Sequence, residues 1–146
     1  MTRQMPKETA PAAESVPRPE HSHGELKVLA RDLWVALESG DQDRVYGDAR
    51  RFYHKLVQHM REEDSSSGWF GEVERIAPRM VHRLERLRAQ HREILADLRI
   101  ICAEVDDDLE GVRAFVDECL GLVDRHEQEE EKLIGEVYLK GGSRAG

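Results

Sequence analysis

The sequence predicts an all-α protein, an up-down-up-down bundle of four helices, and two observations carry that prediction. Apolar residues step by three and four through four successive stretches, the period of a helix buried along one face. Short breaks rich in serine, glycine, proline or aspartate separate the stretches, so consecutive helices are expected to run antiparallel and pack side by side. A chain of 146 residues has room for one such domain.

Residues 1–20 hold four of the five prolines and read as a flexible N-terminal tail. Ser22 with Glu25 forms a capping box that starts the first helix near His23. Its inner stripe is Leu26, Ala30, Leu33 and Leu37, up to Ser39-Gly40. Asp41 or Asp43 caps the second helix, whose stripe runs Val45, Ala49, Phe52, Leu56, His59 and Glu63 before the stretch Ser65 to Gly68 ends it. Pro78 suits the first turn of the third helix, with Met80, Leu84, Leu87, His91, Leu95, Leu98 and Cys102 inward. The acidic run Asp106 to Asp108 caps the fourth, where Val112, Val116, Cys119, Val123, His126, Glu130, Leu133 and Val137 face in until Gly141-Gly142. The bundle then spans 21–140, with a short C-terminal tail over 141–146.

Six polar residues fall on these apolar stripes. His23, then His59 with Glu63 one turn later, is followed by His91, then His126 with Glu130 one turn later, so one pattern is used twice at nearly the same spacing. Burying an imidazole or carboxylate without a partner costs on the order of 1–3 kcal/mol, and six such positions would burden a small domain. A metal removes that cost. In each HxxxE pair the two side chains share a face and lie about 6 Å apart along the axis, so both reach one metal centre or adjacent ones. In an antiparallel hairpin His23 opens the first helix at the end where His59 closes the second, and His91 and His126 can match in height. The candidate ligands are therefore His23, His59, Glu63, His91, His126 and Glu130, with His21 as the fallback on the first helix. His54 and His82 lie off their stripes and read as surface residues.

Composition narrows the partners. Lys+Arg 22 against Asp+Glu 30 gives a net charge of −8, which repels phosphate backbones and anionic lipid, so neither nucleic acid nor a membrane is expected as a partner. No apolar run approaches the roughly 20 residues of a membrane span. The N-terminus shows no apolar signal region, so the expected compartment is the cytoplasm. Cys102 and Cys119 are too few for a disulfide framework and read as small core residues in reduced form.

The order His, HxxxE, His, HxxxE across four helices resembles the hemerythrin-like (HHE cation-binding) domain family over about residues 21–139. The stretches His59-Met-Arg-Glu-Glu63 and His126-Glu-Gln-Glu-Glu130, with Gln90-His91-Arg-Glu-Ile between them, carry the resemblance. It implies two iron ions bridged by the two carboxylates and an oxo or hydroxo group. The implied activity is binding, sensing or turning over oxygen, peroxide or nitric oxide. Oxygen-carrying members place a further histidine one turn before the third-helix ligand, where this chain has Leu87. They also close with an aspartate five residues after the last histidine, where this chain has Glu130 at four. On the family's ligand count both irons would keep an open position, which favours peroxide or nitric oxide chemistry over reversible oxygen carriage. An iron-responsive regulatory module and a reversible carrier are the alternatives. Ferritin-like sites are richer in carboxylate, and zinc could occupy the same cage. Trp69 and Phe70, in a loop expected between Ser65 and Pro78, fit either a lid over the metal end or ordinary aromatic capping of the bundle.

Overall fold

Gly40 and Asp41 set the first hairpin. Gly40 adopts φ 75°, a left-handed conformation open to glycine, and its N–H reaches the Leu37 carbonyl at 3.1 Å. The Asp41 carboxylate accepts from the Arg44 N–H at 3.2 Å and so caps the next helix. The helices joined here are α1 (Glu20–Ser39) and α2 (Gln42–Asp64). The computed structural model of the chain describes the backbone of residues 20–140 and the side chains of residues 24–138. The rest of both expected tails, and the Gly141-Gly142 stop, lie outside the described residues. Because α1 begins at Glu20, the Ser22-Glu25 capping box does not start it. No glycine or proline separates Glu20 from Ser22, so nothing stops the helix from propagating through them.

Three more helices follow: a short α3 (Trp69–Ile76), then α4 (Val81–Glu104) and α5 (Arg113–Ile134). The loop expected between Ser65 and Pro78 is thus largely helical. Both glycines of this stretch are required by close approach. A Cβ on Gly68 or Gly71 would collide with the backbone oxygens of Glu62 and Ser66, so α3 packs directly on the end of α2. Pro78 opens a 3-10 turn, Pro78–Met80, that leads into α4. The run Asp106 to Asp108 does not cap α5, whose N-cap position is Val112 with no side-chain bond. Asp108 instead accepts from the Gly111 N–H at 2.9 Å, since an aspartate satisfies a nearby amide whether or not a helix follows. α5 ends in a π-helical turn, Gly135–Lys140.

The described residues form helices joined by short turns, with no strand among them, and their packing is compatible with a four-helix bundle. α1 packs on α2 and α5, and α4 packs on the same two. Directions follow from cross-helix pairs: Lys27 meets Glu127 while Glu38 meets Arg113, so α1 and α5 are antiparallel. Arg99 meets Tyr53 and His91 meets Asp64, which sets α2 against α4 in the same way. Every inward position expected on the described residues is buried except Cys102, which is half-buried. Leu29, Ala36, Ile94, Ile101 and Leu122 widen the stripes. One apolar cluster fills most of the bundle, a second lies around Trp69, Phe70, Leu84, Leu87 and Leu133, and the polar residues of α2, α4 and α5 fall between them along the helices. Among the described residues no helix is long and apolar enough to cross a membrane.

Asp97 is a further polar residue buried on α4, outside the set expected from the repeated pattern. Burial, followed by Glu118 on α5 and then Glu93, raises its carboxyl from 3.8 to about 6. The folded state therefore holds a proton that the unfolded chain releases, and stability falls as pH rises from about 3.8 to about 6. Asp97→Asn is expected to stabilise the protein at pH 7, by on the order of 1 kcal/mol or more, and to flatten that fall. Urea titrations at pH 4, 5.5 and 7 check this; a variant less stable than the parent at pH 7 contradicts it.

Candidate metal centre

The centre is assembled from three helices. On α2, His59 and Glu63 stand one turn apart on the buried stripe, with Nε2 of the histidine 3.0 Å from Oε1 of the glutamate. On α5, His126 and Glu130 repeat the pair with Nε2 3.1 Å from Oε2. α4 supplies His91, whose Nε2 lies 3.5 Å from Oε1 of Glu63. One donor atom from each of these five residues lies within 4.8 Å of all the others, and all five residues are buried. The structure thus brings together five of the six expected ligands. The side chains of His23 and its fallback His21 lie outside the described residues. Their helix nevertheless reaches this level, since Glu25 pairs with Lys55 and Lys27 with Glu127, each at 3.1 Å. His54 and His82 are exposed, as expected.

Two residues outside the expected set orient the imidazoles. Nδ1 of His126 lies 2.8 Å from Oε1 of the buried Gln90, and an amide oxygen only accepts, so Nδ1 carries the proton and Nε2 is left as a ligand atom. Nδ1 of His91 faces the Asp64 carboxylate at 3.3–3.4 Å, which has the same effect. Their positions held a signal: Asp64 and Gln90 are direct neighbours of Glu63 and His91. On a helix, however, adjacent residues point about 100° apart, and spacing alone does not show that such a neighbour turns inward. Phe70 stacks on the His91 ring with centroids 6.0 Å apart and planes 6° from parallel. Arg88 lies over the Phe70 ring, 5.2 Å from its centroid, and pairs with Glu74. Trp69 is fully buried and donates from Nε1 to the Tyr138 hydroxyl, which donates to Glu72. Trp69 and Phe70 therefore belong to the packed cluster that closes the metal end.

Burial pushes the Glu63 carboxyl well above the ordinary glutamate range, and the adjacent Glu130 adds to the shift. Burial also lowers His91, despite the opposing pull of Asp64. Glu63 thus favours its neutral form until a cation supplies countercharge, while His91 already favours the neutral imidazole that a metal binds. Neither oxygen of Glu63, nor Nε2 of His91, makes a hydrogen bond of good geometry among the described residues. Such buried atoms, aimed into one space and close to one another without well-directed hydrogen bonds, fit a metal ion. A mix of imidazole and carboxylate suits first-row transition metals.

Set against protein-family models, curated proteins and solved structures, the chain matches none.

Adding Fe²⁺ to the metal-free protein at pH 7 is expected to release protons, because the raised Glu63 must ionise to bind. Calorimetry in buffers of different ionisation enthalpy measures the release, and a heat independent of buffer contradicts the assignment. Asp64→Ala is expected to weaken metal binding by about 10–100-fold with the helical signal intact. Unchanged affinity would remove Asp64 from the site.

Proposed function

We propose that the chain is a non-haem di-iron protein of the hemerythrin-like kind that binds, senses or turns over oxygen, peroxide or nitric oxide. The observation that carries this reading is the convergence of three imidazoles and two carboxylates from three helices on one buried space. Five candidate ligands, with His23 the sixth expected from the sequence, exceed what one tetrahedral zinc accepts and would suit two metal ions. His59 and Glu63 would hold one side of the centre, His126 and Glu130 the other, with His91 directed by Asp64. When bound, iron supplies redox chemistry toward small oxygen- and nitrogen-containing ligands. The protein's part is to keep the imidazoles in one tautomer, to keep the site dry and to hold the two carboxylates together. Phe70, Trp69 and Leu87 are all fully or almost fully buried beside this end, an environment that favours substrates of a few atoms over large ones. Leu87 also keeps the position one turn before His91 apolar, which argues against a saturated iron of the oxygen-carrier kind.

A second reading has support from the same burial. Groups this poorly solvated depend on a cation, so metal binding is linked to folding, and a partner could read that linkage as an iron signal.

Protein from iron-replete cells is expected to hold about two irons per chain, a consequence of the doubled motif and the sharing of carboxylates. His59→Ala and His126→Ala are expected to lose metal and thermal stability together, while His54→Ala and His82→Ala lose neither. Elemental analysis with thermal melts checks this, and a parent protein holding one zinc would sink the di-iron reading. The reduced protein is expected to consume oxygen or peroxide without returning oxygen when the gas is removed. Stopped-flow spectroscopy with oxygen and with hydrogen peroxide tests that, and reversible oxygen binding would restore the carrier role.

A further inference from the structure

A second hollow lies on the outer surface of the bundle, in the half away from the metal centre. It is about 410 Å³ and sits between the first half of α2 and the last turns of α4. Four of its lining residues form two matched pairs. Arg50 lies over the Tyr46 ring at 5.7 Å and donates to its hydroxyl at 3.3 Å. Arg99 lies over the Tyr53 ring at 5.7 Å and donates to that hydroxyl at 3.3 Å. His54 stands edge-on to Tyr53, and the half-buried Cys102 completes the wall.

The charge of this hollow runs against that of the chain. With 30 acidic residues and a net charge of −8, an exposed arginine has abundant carboxylates to pair with. Arg51, Arg83, Arg86, Arg88 and Arg113 do so, and what sets Arg50 and Arg99 apart from the other unpaired arginines is the tyrosine ring that each one lies over. Arg50 and Arg99 make no carboxylate pair within 4.0 Å among the described residues, and no carboxylate lines the hollow. Each guanidinium is instead held in place by a ring, one N–H spent on a tyrosine oxygen and the remaining donors left over. A planar fork fixed in this way is arranged for an oxyanion.

From this we infer a ligand site for a small aromatic oxyanion, a flat ring bearing a phosphate or carboxylate. The guanidinium forks of Arg50 and Arg99 take the oxyanion. The tyrosine rings, the imidazole of His54 and the thiol wall offer the ring its contact surface. A volume of about 410 Å³ falls among small-molecule pockets, commonly about 300–1,000 Å³, and a bare phosphate ion would leave most of it unfilled. The site is separate from the metal centre and does not depend on how that centre functions.

The test uses the full-length protein with phenyl phosphate, benzoate, inorganic phosphate and phenol as probes, followed by amide chemical shifts and by alkylation of Cys102. Cys119 is fully buried, so Cys102 is the thiol that reports on this hollow. Phenyl phosphate or benzoate is expected to shift amides of Tyr46 to His54 and of Arg99 to Ala103, and to slow labelling of Cys102 by iodoacetamide. The tighter of the two identifies the oxyanion. Arg50→Gln and Arg99→Gln, both on exposed helix faces, are expected to weaken binding by about tenfold or more each while leaving helical content and iron content unchanged. Iodoacetate should label the parent faster relative to iodoacetamide than it labels the double variant. The proposal is overturned if neither aryl anion binds, if either binds the double variant as well as the parent, or if inorganic phosphate or phenol binds as tightly as the aryl anions.

Discussion

Two carboxylates and three imidazoles face one another in a space from which water is excluded, and a folded chain has few ways of tolerating that. It can neutralise the groups by moving protons, or it can admit a cation. The raised Glu63 and the lowered His91 show the first response in the polypeptide alone. The second would convert the same five groups from a cost into a set of bonds. The rest of the structure depends on this arrangement. The apolar clusters on either side of it exclude water, and the cross-helix contacts of Gln90 with His126 and of Asp64 with His91 hold the rings in register.

The aromatic end of the molecule is built to keep that space closed. α3 can lie against the end of α2 because Gly68 and Gly71 lack side chains where the two backbones meet. This brings Phe70 flat onto His91 and leaves Trp69 tied to Tyr138 on the π-helical turn. A wider turn after α5 and a short helix after α2 are local irregularities that meet at one place. Both serve the packing over the buried imidazoles.

Much of this was legible in the sequence, for a physical reason. On α2 and α5 the inward positions step regularly, and a histidine or glutamate substituted into such a stripe keeps its direction, so His59, Glu63, His126 and Glu130 could be placed by counting. His91 followed from the stripe of α4 in the same way. What was not legible depends on tertiary contact. Asp64, Gln90 and Asp97 are inward although they sit at the margins of their stripes, because a neighbouring helix happens to cover them. α3 is only eight residues long, and its helicity comes from docking on α2 more than from its own period. The Asp106 to Asp108 run looks like a helix cap, yet the chain turns once more before α5 begins. In the outer hollow Tyr46 and Arg50 stand one turn apart on α2, but Tyr53 and Arg99 belong to two different helices, and no spacing within either one brings the two pairs together.

The account stands or falls on whether the buried space between α2, α4 and α5 is where metal resides. The most direct measurement is anomalous diffraction above and below the iron edge, on crystals of protein purified from iron-replete cells. Two iron peaks, lying between the Glu63 and Glu130 carboxylates and within bonding distance of His59, His91 and His126, are the predicted result. No anomalous density there, with the five side chains packed against one another as a neutral hydrogen-bonded core, would contradict it.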